Sequence, residues 1–412
     1  EGSLWHPYYT AYVGVIGYYP GNYELLSLFT ILPFNQDLFV NLINFSLYLP
    51  LGLCLYIIFR QLKVPEKTAQ VLPALLLYTP LLVRQGPIPQ NDLFYLLVLA
   101  FAFLFFIKKH WLAFAIALGL FLGTKANAIV YSALVFLPAC YYIKDYKKIL
   151  KVSALIILFG GFWYIRNWIL TGNPLFPMHL ETGGLTIFQG YQSAQESLKA
   201  SAVFPQHITD LNLYKSLAIN FFHSTGLIIL STVTAIIFTF FKHRRLLIMI
   251  VALFFVYLIS PFSAVNLYPN IRYLIPLILF TTIVFSLISK PEHRVTSLLV
   301  LAQIVCLSLL MASQLDRIQF VNDFVFITIP SLLGTCFFLA VIISIALHFK
   351  HHNKLLTSLL SLFTLFLFFN YSFGERNINP YWDPFIRKQT IKPQGYIYVI
   401  HPHLLDGFNY VN

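Results

Sequence analysis

The sequence predicts an all-α polytopic membrane protein, and three observations carry that prediction. Of 412 residues, 58% are hydrophobic and only 10% are charged. Soluble domains carry roughly 25% charged residues. Apolar runs of about 16 to 25 residues recur along most of the chain, each bounded by charges, which suits helices crossing a hydrocarbon core of roughly 30 Å. A closed barrel would show short alternating segments instead. The charges also partition. Alternate short connections ("RQLKVPEK", "KKH", "KDYKKILK", "KHRR", "KPEHR", "KHHNK") hold 16 of the 27 Lys and Arg and 3 of the 15 Asp and Glu. That is the positive-inside asymmetry. The net charge of +12 is therefore an orientation signal and not a nucleic-acid footprint.

The elements follow in chain order. Residues 1–37 read as the end of a first outer loop. Its last part, "YYPGNYELLSLFTILPFNQD" (18–37), holds a turn at Pro20-Gly21-Asn22, an acid at Glu24 and a half-apolar stretch. It suits a juxtamembrane helix with its turn and acid toward a cavity and its apolar side on the membrane surface. About twelve spans are expected between 38 and 369, near 38–59, 68–83, 92–107, 111–123, 127–143, 152–169, 217–241, 246–261, 273–289, 295–312, 325–348 and 355–369. One more span is expected upstream of residue 1.

The tight "GTKA" turn sets spans 111–123 and 127–143 side by side, with Gly119 and Gly123 permitting close backbone approach. A long outer loop at 166–216 suits a lid or a substrate-binding loop as well as plain surface structure. Residues 370–412 form an outer C-terminal segment, read as cut short. Cys54, Cys140, Cys306 and Cys336 all fall inside spans and read as apolar fillers.

The outer face gathers the acids, so chemistry is sought there. At the outer ends of spans stand Glu24, Asp37 and Asp92, and against the positive-inside trend Arg84, Lys125, Arg166 and Arg272. Four cations at one mouth ask for an anion, and a phosphate suits guanidinium and ammonium groups alike. Each cation alone also reads as an ion pair or a solvated side chain. If the phosphate belongs to a lipid, its tail lies among the spans. A carboxylate near the acceptor can then serve as general base, with the cations stabilising the leaving phosphate. Asp92 and Glu24 are the candidates. Asp92 reads equally as a first-turn helix acid and Glu24 as an interfacial one.

These stretches carry a resemblance. "YYPGNYELL" (18–26) followed by "LPFNQDLFVNLINF", "RQGPIPQNDLFYLLVLAFAFLFF" (84–106), "GTKANA" (123–128), "WYIRNWILTGNPLFP" (163–177) and "NIRYLIPLILF" (270–280) stand in order over the first 290 residues. The pattern resembles the GT-C glycosyltransferases, the group of the protein O-mannosyltransferases and lipid A aminoarabinose transferases.

The resemblance implies an inverting sugar transfer from a polyprenyl-phosphate donor to a saccharide, lipid or protein acceptor. It places the active site on the periplasmic or extracellular face, here of a bacterial plasma membrane. It implies a supporting acid at Asp92 and a lipid-phosphate contact at Lys125. Substrate-binding roles at Arg84, Arg166, Asn173, Arg272 and Tyr273 follow more loosely. It also implies a catalytic Asp in the first outer loop. No Asp-Glu or Asp-Asp pair precedes Tyr18, so that residue is expected upstream of Glu1, or else Glu24 or Asp92 serves. The sequence identifies no definite cofactor, and a divalent cation is the candidate.

Rival readings are a flippase or transporter of lipid-linked saccharides, a polysaccharide polymerase or ligase, and a structural membrane subunit. Charges at helix ends and not at mid-span weigh against transport. His401 and His403 share a strand face without a third ligand, and His351-His352 sits in a basic connection. Asn370-Tyr371-Ser372 is a glycosylation sequon. Trp163, Tyr164, Trp168 and "YWDPF" (381–385) read as interface anchors ahead of sugar-stacking rings.

Overall fold

The structure, a computed structural model, describes residues 16–33, 40–86, 90–182, 184–190, 192–193, 202–203, 207, 209–260, 270–289 and 292–318. All of them belong to the first of two compact units, Glu1–Phe338; the second is Leu339–Asn412. The predicted spans 325–348 and 355–369, the segment 370–412, the His351-His352 and His401/His403 pairs, the sequon and "YWDPF" lie outside the described residues.

The described chain is mostly helical, as expected. In order come α1 (Asn22–Ile31), α2 (Val40–Gln61), α3 (Glu66–Leu77), α4 (Pro80–Gln85), α5 (Asp92–Ile107), α6 (Trp111–Leu122), α7 (Ala128–Ile143), α8 (Tyr146–Gly160) and α9 (Phe162–Thr171). Three short strands follow, β1 (Met178–Thr182), β2 (Leu185–Phe188) and β3 (Gln192–Ser193). Then come α10 (Leu211–Thr225), α11 (Ile228–Lys242), α12 (Arg244–Leu258), α13 (Ile275–Ser289) and α14 (His293–Ile318).

The packing follows from which helices are apolar all round. Helix α5 is almost wholly apolar after Asp92, and nearly every residue from Leu93 to Leu104 is buried. Such a helix belongs inside a bundle. It lies between α2 and α6, and α6 in turn packs on α8. On another side α13 meets α5, α2, α11 and α12, while α12 also touches α7 and α14 packs on α3. Peripheral helices keep one apolar side outward: Leu137 on α7, Leu158 on α8, Ile237 and Phe241 on α11, and Val251 on α12 are all exposed.

The described residues do not confirm the count of twelve spans. Among the described residues, by length and composition, one helix, Ile43–Gln61, suffices to cross a membrane alone, and up to three do if each bent pair is one span. The physical reason is that predicted spans are broken. Span 152–169 divides at Gly160-Gly161 into α8 and α9, bent by 69°. Span 217–241 divides at Gly226 into α10 and α11, bent by 119°. Gly226 has φ +62°, a value that favours glycine. Span 68–83 divides where Pro80, at the first position of α4, cannot continue the ladder of α3.

Two local expectations are corrected. Gly119 does not join α6 to α7. A Cβ there would lie 2.8 Å from Ile156 O and from Phe159 Cβ, so the glycine seats α6 against α8. Gly123 leaves room for the Asn22 side chain of α1. In the 166–216 loop, α9 continues to Thr171, and a small sheet follows in the order β2-β1-β3. Strand β1 is antiparallel to β2 (Leu180 opposite Phe188) and parallel to β3 (Met178 opposite Gln192).

Candidate functional site

The site begins at the first residue of α5. Asp92 follows Asn91, the N-cap residue, so its carboxylate stands at the positive end of the helix. The dipole alone does not satisfy it. Asp92 Oδ1 bonds the Lys125 ammonium, and Asp92 Oδ2 lies 3.8 Å from Arg272 Nη1. The Asp92 side chain is 0% exposed, while Lys125 keeps 12% and Arg272 31% of theirs. The acid is thus sealed beneath two cations that still reach outward.

Magnitudes explain why two cations are present. Removing an ion from water costs several kcal/mol even after relaxation. One partner at 3.8 Å returns about 4 kcal/mol at an effective dielectric of about 20. A single pair would barely offset the burial of its acid, and the triad shares one buried acid between two bases that keep some contact with solvent.

Each cation is held by its own element. Lys125 sits in the turn between α6 and α7. Thr124 Oγ1 donates to Leu120 O at 2.8 Å, and Ala128 N donates to Lys125 O at 3.0 Å. The ammonium lies over the Tyr95 ring at 5.3 Å and the Tyr273 ring at 5.9 Å, both cation–π distances. Arg272 and Tyr273 belong to the 3-10 turn Ile271–Leu274 that leads into α13. Tyr131 of α7 fastens that turn, its hydroxyl donating to Tyr273 O at 2.9 Å. The Arg272 guanidinium lies 5.6 Å from the Tyr273 ring.

Glu24 joins from α1. Asn91 Nδ2 donates to Glu24 Oε1 and to Thr124 O, each at 3.4 Å. Burial pushes the Glu24 carboxyl above the ordinary carboxylate range, against the pull of Asn91 and Lys125. Burial likewise lowers the Lys125 ammonium, opposed chiefly by Asp92.

Helix α1 is placed by Asn22. Its amide nitrogen donates to Leu120 O and Phe159 O at 3.1 Å each, its oxygen accepts from Trp163 Nε1 at 2.9 Å, and its backbone N–H donates to Gly123 O at 2.8 Å. One asparagine thereby ties α1 to α6 and to the α8–α9 break. Its neighbours explain Trp163, which is buried and serves as a clamp, so the expected roles of anchor or stacking ring do not fit it. Trp168 is exposed.

The other candidates do not meet at this triad. Arg166 is buried on α9, where Nη2 donates to Gly17 O at 2.6 Å and to Asn167 Oδ1 at 3.0 Å. Asn167 Nδ2 holds Tyr18 O at 2.8 Å. This pair fastens the short turn Ile16–Tyr18 ahead of α1. Asn173 organises its own loop, donating to Met178 O and Gln189 O and accepting from Leu175 N. Arg84 falls in α4, with its side chain outside the described set. Asp37 also lies outside it.

Reading the sequence by charge missed the neutral members: Asn91, Asn22, Tyr95 and Tyr131. The signal for Asn91 was its place beside Asp92. Around the triad, Asp92 Oδ2, Tyr95 OH and Arg272 Nε are buried without a hydrogen-bond partner, as are both amide atoms of Asn127 at the start of α7. Buried polar atoms are nearly always paired in folded proteins, so this cluster has capacity for a polar ligand. Among the described residues, no three His, Cys, Asp or Glu side chains come together to hold a metal ion. No family model, no curated protein and no solved structure matches this chain.

Proposed function

We propose that the protein is a polytopic membrane glycosyltransferase that moves a sugar from a polyprenyl-phosphate carrier to an acceptor at the non-cytosolic face. The observation that carries this reading is the meeting of Lys125 and Arg272 over the buried Asp92, with Glu24 reached through Asn91. Two cations, one of them with an unpartnered Nε at Arg272, suit a phosphate. The membrane part rests on the apolar composition, the partition of basic residues and the exposed apolar sides of α7, α8, α11 and α12.

The chemistry follows from the roles these positions allow. The acceptor oxygen or nitrogen attacks the anomeric carbon, and the bond from that carbon to the phosphate oxygen breaks. Lys125 and Arg272 stabilise the charge on the departing polyprenyl phosphate. The acceptor proton passes to a carboxylate. Glu24 fits that task better than Asp92: it is held by the neutral Asn91 amide, whereas Asp92 is committed to both cations. Asp92 then acts by positioning.

A transporter of lipid-linked saccharides is the second reading, and the two sharply bent helix pairs favour it. One assay separates the two. The full-length protein is incubated with a labelled sugar on polyprenyl phosphate and with membranes of its own host as acceptor. Label is expected to move to the acceptor, and Lys125→Ala to slow the transfer by roughly 10²–10³-fold, as for loss of one stabilising donor. Transfer unchanged in both Lys125→Ala and Arg272→Ala would remove the site. Translocation of the donor without transfer would select the transporter.

A further inference from the structure

Gln303 of α14 is fully buried and spends its amide on backbone groups of two different helix breaks. Its Oε1 accepts from Leu227 N at 2.6 Å, and its Nε2 donates to Thr225 O at 2.9 Å. These two groups flank Gly226, where α10 turns through 119° into α11. The same Nε2 donates to Tyr78 O at 3.1 Å, in the break between α3 and α4. One side chain thus satisfies backbone groups that two interrupted helices leave open. The fit is close: at Gly226 a Cβ would lie 2.8 Å from Gln303 Oε1.

What this joint holds is adjacent to the site. Helix α10 packs on α4 and on the 271–274 turn that carries Arg272. Its buried face includes Leu217, Ser224 and Thr225, while Leu211 and Ile219 are exposed. The other bond, to Tyr78 O, holds the C-cap of α3 just ahead of α4, on which α10 packs. A change at Gln303 therefore reaches α10, which packs on the Arg272 turn, without touching Asp92, Lys125 or Arg272.

We propose that Gln303 is a positioning residue that locks α10 against the Arg272 turn, and that α10, once released from it, swings about Gly226 as the gate to the cationic site. What α10 guards rests on the glycosyltransferase reading. The swing does not.

The test is therefore made on α10 itself. In the full chain, Cys140, Cys306 and Cys336 are replaced by alanine, Cys54 is kept, and Leu217→Cys is added. Cys54 is buried in α2 and reports general loosening. Maleimide labelling of both cysteines is timed with Gln303 intact, with Gln303→Leu and with Gly226→Ala. The expected result is labelling at position 217 faster by about tenfold or more in both variants, the scale of a local opening eased by one tenfold step. Cys54 labelling stays unchanged. Equal rates at 217 in all three proteins, or acceleration at Cys54 as large as at 217, would overturn the proposal. Labelling as expected in a protein that transfers no sugar would leave the joint standing and sink only the enzymatic reading.

Discussion

At the scale of single residues, the site is a problem of where charge is stored. Asp92 has no exposure, and Lys125 and Arg272 are its two ion-pair partners. Glu24 is different: one neutral donor, Asn91, meets it, and burial raises its carboxyl. The consequence for stability has a definite sign. Between the ordinary carboxyl value of 4.5 and its raised folded value, the native state holds a proton that the unfolded chain has lost. Stability falls as pH climbs through that window and is flat on either side of it. Glu24→Gln keeps an oxygen for Asn91 and removes the titration. In thermal melts of detergent-solubilised protein, the variant should gain on the parent as pH rises from 4.5, and should never fall below it at neutral pH. A parent that gains on the variant over that range would show that Glu24 is stabilised as an anion. The charged members of the site were legible in the sequence because each interrupts an apolar background at a helix end. Asn22 was read as a turn-former only, since its main partner, Trp163, stands 141 residues away and neither carries charge.

Among the elements, the closest approach is between α6 and α8. A Cβ on Gly160 would collide with Gly119 O and lie 2.9 Å from Leu122 Cβ. Both backbones are helical there, so neither side can yield as a flexible side chain would. Gly160→Ala should cost about 1–3 kcal/mol, as overpacking of a tight contact does. It should also disturb the site, because Phe159 O and Trp163 on either side of Gly160 hold Asn22. Denaturation of the purified protein checks the first point, and no loss of stability would mean that the two helices sit farther apart. The sequence showed the helices but not these pairings. Runs such as α5 and α6 are apolar on every side, so periodicity gives no face to point at a neighbour. The breaks at Gly226 and Gly160-Gly161 were likewise hidden inside long apolar runs. Gln303 was silent for the same reason as Asn22: its partner Tyr78 lies 225 residues away, and its bonds are to backbone.

For the whole molecule, on the proposed function, one end of the helical bundle gathers a lipid phosphate beside its acceptor. Four separate stretches contribute: the start of α1, the start of α5, the α6–α7 turn and the 271–274 turn. The charge partition led to the same expectation, because three of these stretches lie at the ends of predicted spans and the fourth in the loop ahead of the first span. The triad itself lies at those ends, whereas the broken helices show interior structure that composition does not report. The most direct measurement is binding of polyprenyl phosphate against the uncharged polyprenol to the full-length protein in detergent. The intact protein should prefer the phosphate by at least about tenfold, one step of about 1.4 kcal/mol. Lys125→Met and Arg272→Gln should each abolish most of that preference. Equal affinity for the two lipids, or a preference that survives both substitutions, would contradict the account.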